Sequence, residues 1–292
     1  MTDWGTVLVT GATGSTGSAL LDQLLPRGVD VRVMVRRDTD VPPFLVLGAD
    51  VAVADFDDAA ACAAALDGVR RVYLVTPSSE HSEGQQRRFA DLAAAADVEH
   101  LVKLSQLGAD VSSPVRFHRW HAAVEQHLRQ LPLGWTFLRP NLFFQGLFAF
   151  AGMIARDGQF FAPIGDARVS AVDVRDIAAV AAAALTEPGH EGKTYTITGP
   201  AAITHAEIAK ALSAATGRDV TFVDVPPDVF RAALDGALPP WQLDGLVEDY
   251  AHYARGEAAA VLPTVQELTG QEPRDVARFA LDYADRFTAQ AG

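Results

Sequence analysis

The β-branched run Thr6-Val7-Leu8-Val9-Thr10 ends in three glycines spaced G-x-x-G-x-x-G, Gly11, Gly14 and Gly17, and the helical run Ser18-Ala19-Leu20-Leu21 follows at once. A strand that turns tightly into a helix leaves the first N–H groups of that helix without carbonyl partners. The positive helix end then faces outward and suits a pyrophosphate. A side chain at Gly11 or Gly14 would block that approach, and Thr13, Ser15 and Thr16 between the glycines join them as expected cofactor contacts. Spaced glycines alone fit an unliganded turn equally well. What decides for a dinucleotide is the alternation of strands and helices that this motif opens.

That alternation fills the first half of the chain. Strands are expected at 6–10, 31–35, 51–53, 72–75, 101–104 and 135–138, with helices near 16–27, 58–67, 83–96 and 117–130, each carrying apolar residues at three- and four-residue spacing. The pattern predicts a doubly wound parallel sheet, Rossmann-like, with helices on both faces. After Pro140 the pattern loosens into an aromatic stretch. It then resumes with a helix from Asp173 to Leu185, a strand at 193–197, a helix from Thr204 to Thr216 and a strand at 220–225. Thr204 and Glu207 form a capping box at the start of the third of these, and Gly217 stops it. The expected division is a dinucleotide-binding domain over 1–155, with 168–198 packing back on it, and a smaller, partly discontinuous α/β substrate-side domain over 156–292.

Charge and cysteine content narrow the function classes. Lys and Arg number 24 against 37 Asp and Glu, a formal charge of −13 that argues against nucleic acid as a main partner. The lone Cys62 permits no intrachain disulfide and no thiolate zinc cage. The first residues lack the basic start and apolar stretch of a secretory signal, and the longest apolar runs, 147–155 and 177–185, are too short to span a membrane. The expectation is a cytoplasmic protein with no membrane association.

The second strand runs into Arg36 and Arg37, where an NAD-specific site would place an acid for the ribose hydroxyls. A guanidinium fork suits a 2′-phosphate instead, so NADP(H) is the expected cofactor and NAD(H) the poorer fit; the alternative is a pair of solvated surface charges. With T-G-x-x-G-x-x-G in place, the chain resembles the short-chain dehydrogenase/reductase superfamily over nearly its whole length. The resemblance rests further on Asp55-Phe56 after the third strand, Thr76-Pro77 after the fourth and Leu138-Arg139-Pro140-Asn141 after the sixth. It implies that Asp55 and Phe56 hold the adenine, and that Thr76, Pro77, Pro140, Asn141 and Phe143 line the cofactor.

Aligned through Glu125, the helix at 117–130 puts Phe117 where the superfamily has its catalytic Tyr and His121 where it has its Lys. A phenyl ring donates no proton, which removes the usual alcohol dehydrogenase mechanism. The pattern H-x-x-x-E followed by W-T-x-L-R-P-N resembles the NmrA-like branch, whose enzymes reduce electron-poor conjugated acceptors with little acid assistance. On that resemblance His121 contacts ribose or substrate, and Ser105, at the end of the fifth strand, stands in the place of the catalytic Ser. From the residues alone, His121 could equally bond Glu125 within its helix, a metal on His118, His121 and Glu125 is a remote reading, and Ser105 could only cap a turn. Trp120, Phe144 and Phe148 are expected to line a flat apolar substrate site, although aromatics in such a stretch are commonly core. Asp173 and Asp176 read as capping and dipole partners.

The function expected is hydride transfer from NADPH to a quinone-like or other conjugated aromatic acceptor, by a monomer or homodimer. The alternatives are an NADP-sensing regulator without turnover, and a biosynthetic ketone reductase or isomerase on the same fold.

Overall fold

The computed structural model describes residues 4–288. In chain order its strands are β1 (Thr6–Thr10), β2 (Val31–Val35), β3 (Asp50–Val53), β4 (Val69–Leu74), β5 (His100–Leu104), β6 (Gly134–Pro140), β7 (Gln159–Ala162), β8 (Lys193–Ile197) and β9 (Thr221–Asp224). The helices of the first half are α1 (Ser15–Leu24), α2 (Val41–Val46), α3 (Ala59–Leu66), α4 (Ser82–Ala95) and α5 (Arg116–Leu128). They are followed by α6 (Ala151–Asp157), α7 (Val174–Thr186), α8 (His205–Thr216), α9 (Pro227–Leu234), α10 (Pro240–Ala254), α11 (Thr264–Thr269), α12 (Val276–Asp282) and α13 (Ala284–Thr288).

The chain divides into two compact units. One comprises the chain up to Ser113, His118–Arg139 and Ile177–Thr196; the other comprises Pro114–Phe117, Pro140–Asp176 and the chain from Ile197 onward. The first is organised around a seven-stranded sheet of order β3-β2-β1-β4-β5-β6-β8. Strands β1 to β6 pair in parallel. Such strands are buried on both faces, which is why Val7, Leu8, Val9, Val72, Tyr73 and Leu74 form unbroken apolar runs. The strand order reverses between β1 and β4, and at such a switch point two chain connections diverge and leave a crevice beyond the strand ends. Cys62 lies in the core of this unit, where burial and nearby carboxylates push its thiol up to about 11.

In the second unit β7 and β9 form a separate parallel pair. Helix α8 carries the expected capping box, with Thr204 accepting from the Glu207 N–H and Glu207 accepting from the Thr204 N–H. The helix stops at Gly217, which takes the left-handed conformation that glycine adopts without a Cβ clash. Aromatic rings fill much of this core. Phe144 and Phe148 stack on Phe279, and Phe230 and Tyr250 meet edge to face. Among the described residues no helix is long and apolar enough to cross a membrane.

Candidate active site

The loop between β1 and α1 is built so that its three glycines do different work. Gly11 has φ +63, and a Cβ there would stand 2.5 Å from Val75 Cγ1. At Gly17 a Cβ would stand 2.3 Å from the Gly11 carbonyl oxygen, so this glycine lets the helix press against the loop. Gly14 differs: its nearest obstruction is the same oxygen at 3.2 Å, and the residue is exposed. Nothing in the protein needs Gly14 bare as strictly as it needs the other two. Gly14 caps α1 without a side-chain partner, and no acidic residue occupies the first turn, so the N–H groups of Ser15, Thr16 and Gly17 form a cradle that could hold an anion. Thr13 and Ser15 are exposed and Thr16 is buried. The Thr10 hydroxyl fastens the cradle to the next strand by donating to the Val75 carbonyl and accepting from the Val75 N–H, each at 2.8 Å.

The two arginines after β2 separate in role. Arg37 grips Asp40 through Nε and Nη2 at 3.0 and 2.9 Å, and its charge is largely answered there. Arg36 is exposed and forms no ion pair among the described residues. Asp55 accepts from the Asp57 N–H, which orders the turn after β3, and Phe56 meets Phe89 edge to face at 5.3 Å. Thr76 accepts from Gln86 at 2.8 Å, while Pro77 is exposed.

Four other expected residues make close contacts within the second unit. Asn141 is 3% exposed, and its amide donates to Ser170 Oγ and the Ala258 carbonyl, both at 2.8 Å, while accepting from the Leu142 N–H. It pins the turn after β6, next to buried Pro140. Phe144 is 2% exposed and stacked on Phe279, and Phe148 packs among Phe279, Tyr283 and Phe287 with Arg286 over its face. These two rings build the aromatic core of the second unit. Phe143 and Trp120 remain part-buried. Phe117, at the tyrosine position, is wedged against Gly245, where a Cβ would stand 2.2 Å from its ring tip, and lies edge to face with Trp241.

Where β5 and β6 end, α5 brings a polar cluster together. Glu125 is 0% exposed and takes a two-pronged grip from Arg139, Nε at 2.9 Å and Nη2 at 2.5 Å. Ser105 donates to the same carboxylate at 2.6 Å, and Arg129 reaches it at 3.3 Å. The alternative pairing of His121 with Glu125 does not form, because Arg139 and Ser105 occupy the carboxylate. Instead His121 Nδ1 lies 2.8 Å from Lys103 Nζ, and Lys103 also donates to the Leu104 carbonyl at 2.9 Å. Burial pushes the Lys103 ammonium down to about 7, against the pull of the Glu125 carboxylate and with the push of Arg139. Burial of the imidazole, then the neighbouring Lys103, His118 and Arg139 charges, hold His121 well below the usual histidine range. His118 turns to Ser113 instead, 3.0 Å away, and no metal-holding cluster occurs among the described residues.

Lys103 is the residue that sequence reading passed over. Its signal was present: a lysine inside Leu101-Val102-Lys103-Leu104, on an interior strand buried on both faces, is costly unless partnered and therefore asks for an explanation. Asp173 and Asp176 are structural, as their reading as capping partners expects. Asp173 accepts from the Arg175 N–H and guanidinium and from Gln145, and Asp176 holds Arg274.

Comparison with known proteins accords with this geometry. The NmrA-like family model matches residues 3–266. An NAD(P)H azoreductase of Xenophilus azovorans is 36% identical over 97% of this chain and 99% of its own. A (4-alkanoyl-5-oxo-2,5-dihydrofuran-3-yl)methyl phosphate reductase of Streptomyces griseus is 38% identical over 97% of this chain and 100% of its own. The NADPH-dependent quinone oxidoreductase of Escherichia coli, solved with NADPH bound, superposes with a TM-score of 0.85 at 29% identity, covering 94% of this chain and 98% of its own.

Proposed function

The chain belongs to the NmrA-like family, and from that premise we propose that it is an NADPH-dependent oxidoreductase that delivers hydride to a quinone-like or other conjugated acceptor. The observation that carries the reading is the β1–α1 loop, whose exposed Gly14 and unpartnered helix N–H groups suit a pyrophosphate. Full-length similarity to an azoreductase and a butenolide phosphate reductase supports the substrate class, since both names denote reduction of conjugated systems. Small molecules are accordingly the partners, and the net charge of −13 argues against a nucleic acid. We assign the protein to the cytoplasm, as a monomer or homodimer.

Within this reading the dinucleotide is held by the first unit. The cradle takes the pyrophosphate, Arg36 takes the 2′-phosphate, and Asp55, Phe56, Thr76 and Pro77 flank the adenine end. Bound NADPH supplies the hydride. The protein supplies position: a fixed cofactor and a fixed acceptor turn a bimolecular encounter into an intramolecular one. Conjugated acceptors spread the charge that hydride brings, so the wedged Phe117 is tolerable at a position where ketone reduction would need a phenol. His121 orients the ribose or the acceptor, and Ser105, fixed by Glu125, completes the polar wall.

Anaerobic mixing of the protein with NADPH and a panel of quinones, azo dyes, enones and saturated ketones tests the reading at the nicotinamide absorbance. Rapid NADPH oxidation by the conjugated compounds and not by the ketones is expected. Tight NADPH binding with no oxidation by any of them would establish a sensor instead.

A further inference from the structure

Among the groups around the Glu125 cluster, one buried cation has no role in the reading above. Lys103 is wholly buried, and its Nζ spends its contacts on the Leu104 carbonyl and on His121 Nδ1. An ammonium has donors and no acceptor, so the imidazole nitrogen it faces must carry a lone pair. The ring proton is thereby placed on Nε2. That nitrogen bonds no other group among the described residues, and His121 is only part-buried.

We propose that Lys103 is a positioning residue that locks His121 as the neutral Nε2–H tautomer, so that the ring offers a hydrogen-bond donor to the acceptor atom on which negative charge develops. The choice of acceptor as the recipient rests on the reductase reading; the tautomer lock does not. A neutral imidazole keeps its proton as a fixed dipole and stabilises the developing charge without having to be recharged between turnovers. The charges around Lys103 fit this role. On α5 stand His121, His118 and Glu125, and on β6 stands Arg139, which neutralises Glu125. On β4, Leu74 stands opposite Lys103, and the buried Tyr73 phenol beside it stays neutral because desolvation raises its pKa. Once deprotonated, the Lys103 amine gains a lone pair and can accept as well as donate, so the lock loosens as pH rises through about 7.

Nitrogen-15 NMR of histidine-labelled protein reads the tautomer directly, with His121 assigned by its loss in H121Q. The expected result is Nε2–H below pH 7, a mixture of tautomers above it, and a mixture at every pH in K103M. An Nδ1–H ring in the native protein below pH 7, or a tautomer indifferent to Lys103→Met, would overturn the proposal. In turnover with a quinone, K103M should lose about tenfold in kcat with the KM for NADPH within twofold of native. It should also lose the decline in kcat expected of the native protein above pH 7, and an unchanged pH profile in K103M counts against the lock. Should the native protein reduce no acceptor, the reductase reading fails while the NMR result still decides the tautomer. If K103M does not fold, K103L, which likewise removes the donor, and the pH titration of the native protein carry the same test.

Discussion

The glycine loop after β1 and the polar cluster at the ends of β5 and β6 belong to the same sheet, yet they are made of different material. The loop works through backbone. Its donors are N–H groups set by one turn of chain, and its side chains matter mainly by being absent at Gly11, Gly14 and Gly17. The cluster works through side chains. Lys103, Ser105, His121, Glu125 and Arg139 come from two strands and a helix, and each is placed by another member of the group. A backbone cradle binds what every dinucleotide shares, whereas a side-chain cluster can be retuned one residue at a time. This division lets one family keep a cofactor while varying the acceptor.

The largest expected effect would break the loop without touching the cluster. Gly14→Val should abolish NADPH binding, a loss beyond a hundredfold in titration, while the folded circular dichroism signal survives, because its Cβ meets only the Gly11 carbonyl at 3.2 Å. Gly17→Val should instead prevent folding, since the added atom would stand 2.3 Å from that oxygen. A Gly14→Val protein that binds NADPH normally would place the ligand elsewhere.

Breaking the cluster should show mainly in stability. Glu125→Gln leaves Arg139 and Ser105 competing for a neutral amide in a buried site, with an expected cost of about 3 kcal/mol. Chemical denaturation reads this directly, and a loss under about 0.5 kcal/mol would mean that the ion pair is ornamental. NADPH affinity measured on the folded fraction should change little, which separates the two regions.

Sharpening the loop side, Arg36→Ala should cost at least tenfold in NADPH affinity and leave NADH unchanged, as one charge-assisted phosphate contact is worth roughly 1.5–3 kcal/mol. Arg37→Ala should cost less, because Asp40 already holds that guanidinium. Equal losses at the two positions would return the 2′-phosphate site to the pair.

The same contrast explains what was legible in the sequence. Gly11 to Gly17 and the Thr204–Glu207 capping box are local, so short spacings reveal them, whereas Asp55 and Thr76 stood out only through the family resemblance. Arg36 and Arg37 were visible as a pair, but the Asp40 grip that splits them depends on a turn. Helix α2 was missed because Val41-Pro42-Pro43-Phe44 reads as a breaker, although proline at the first helical positions is well tolerated. The stretch Phe144–Phe150 winds as a 3-10 helix, whose threefold repeat carries no 3.6-residue pattern, and the packing of its rings on Phe279 and Phe287 is not legible from spacing. Lys103, Glu125 and Arg139 could not be joined from spacing, because only the sheet order brings β5 and β6 side by side.

The remaining expected effect concerns pH. Folding lowers the affinity of Lys103 for its proton, so between about pH 7 and its ordinary value of 10.5 the unfolded chain holds more protons and stability rises with pH. Differential scanning calorimetry of the native protein and Lys103→Met from pH 7 to 9 should show a smaller rise in the variant. Parallel curves would mean that Lys103 keeps an ordinary pKa when folded.

Under the proposed function, positioning of the cofactor carries the reaction and the cluster only tunes it. A single-turnover experiment with His121→Ala, preloaded with NADPH and mixed with a good quinone acceptor in a stopped-flow instrument, tests that claim most directly. The predicted rate is about ten- to a hundredfold below native, the scale of one lost polar contact, with hydride transfer still complete. A loss beyond about ten-thousandfold would make His121 an indispensable acid and contradict the account.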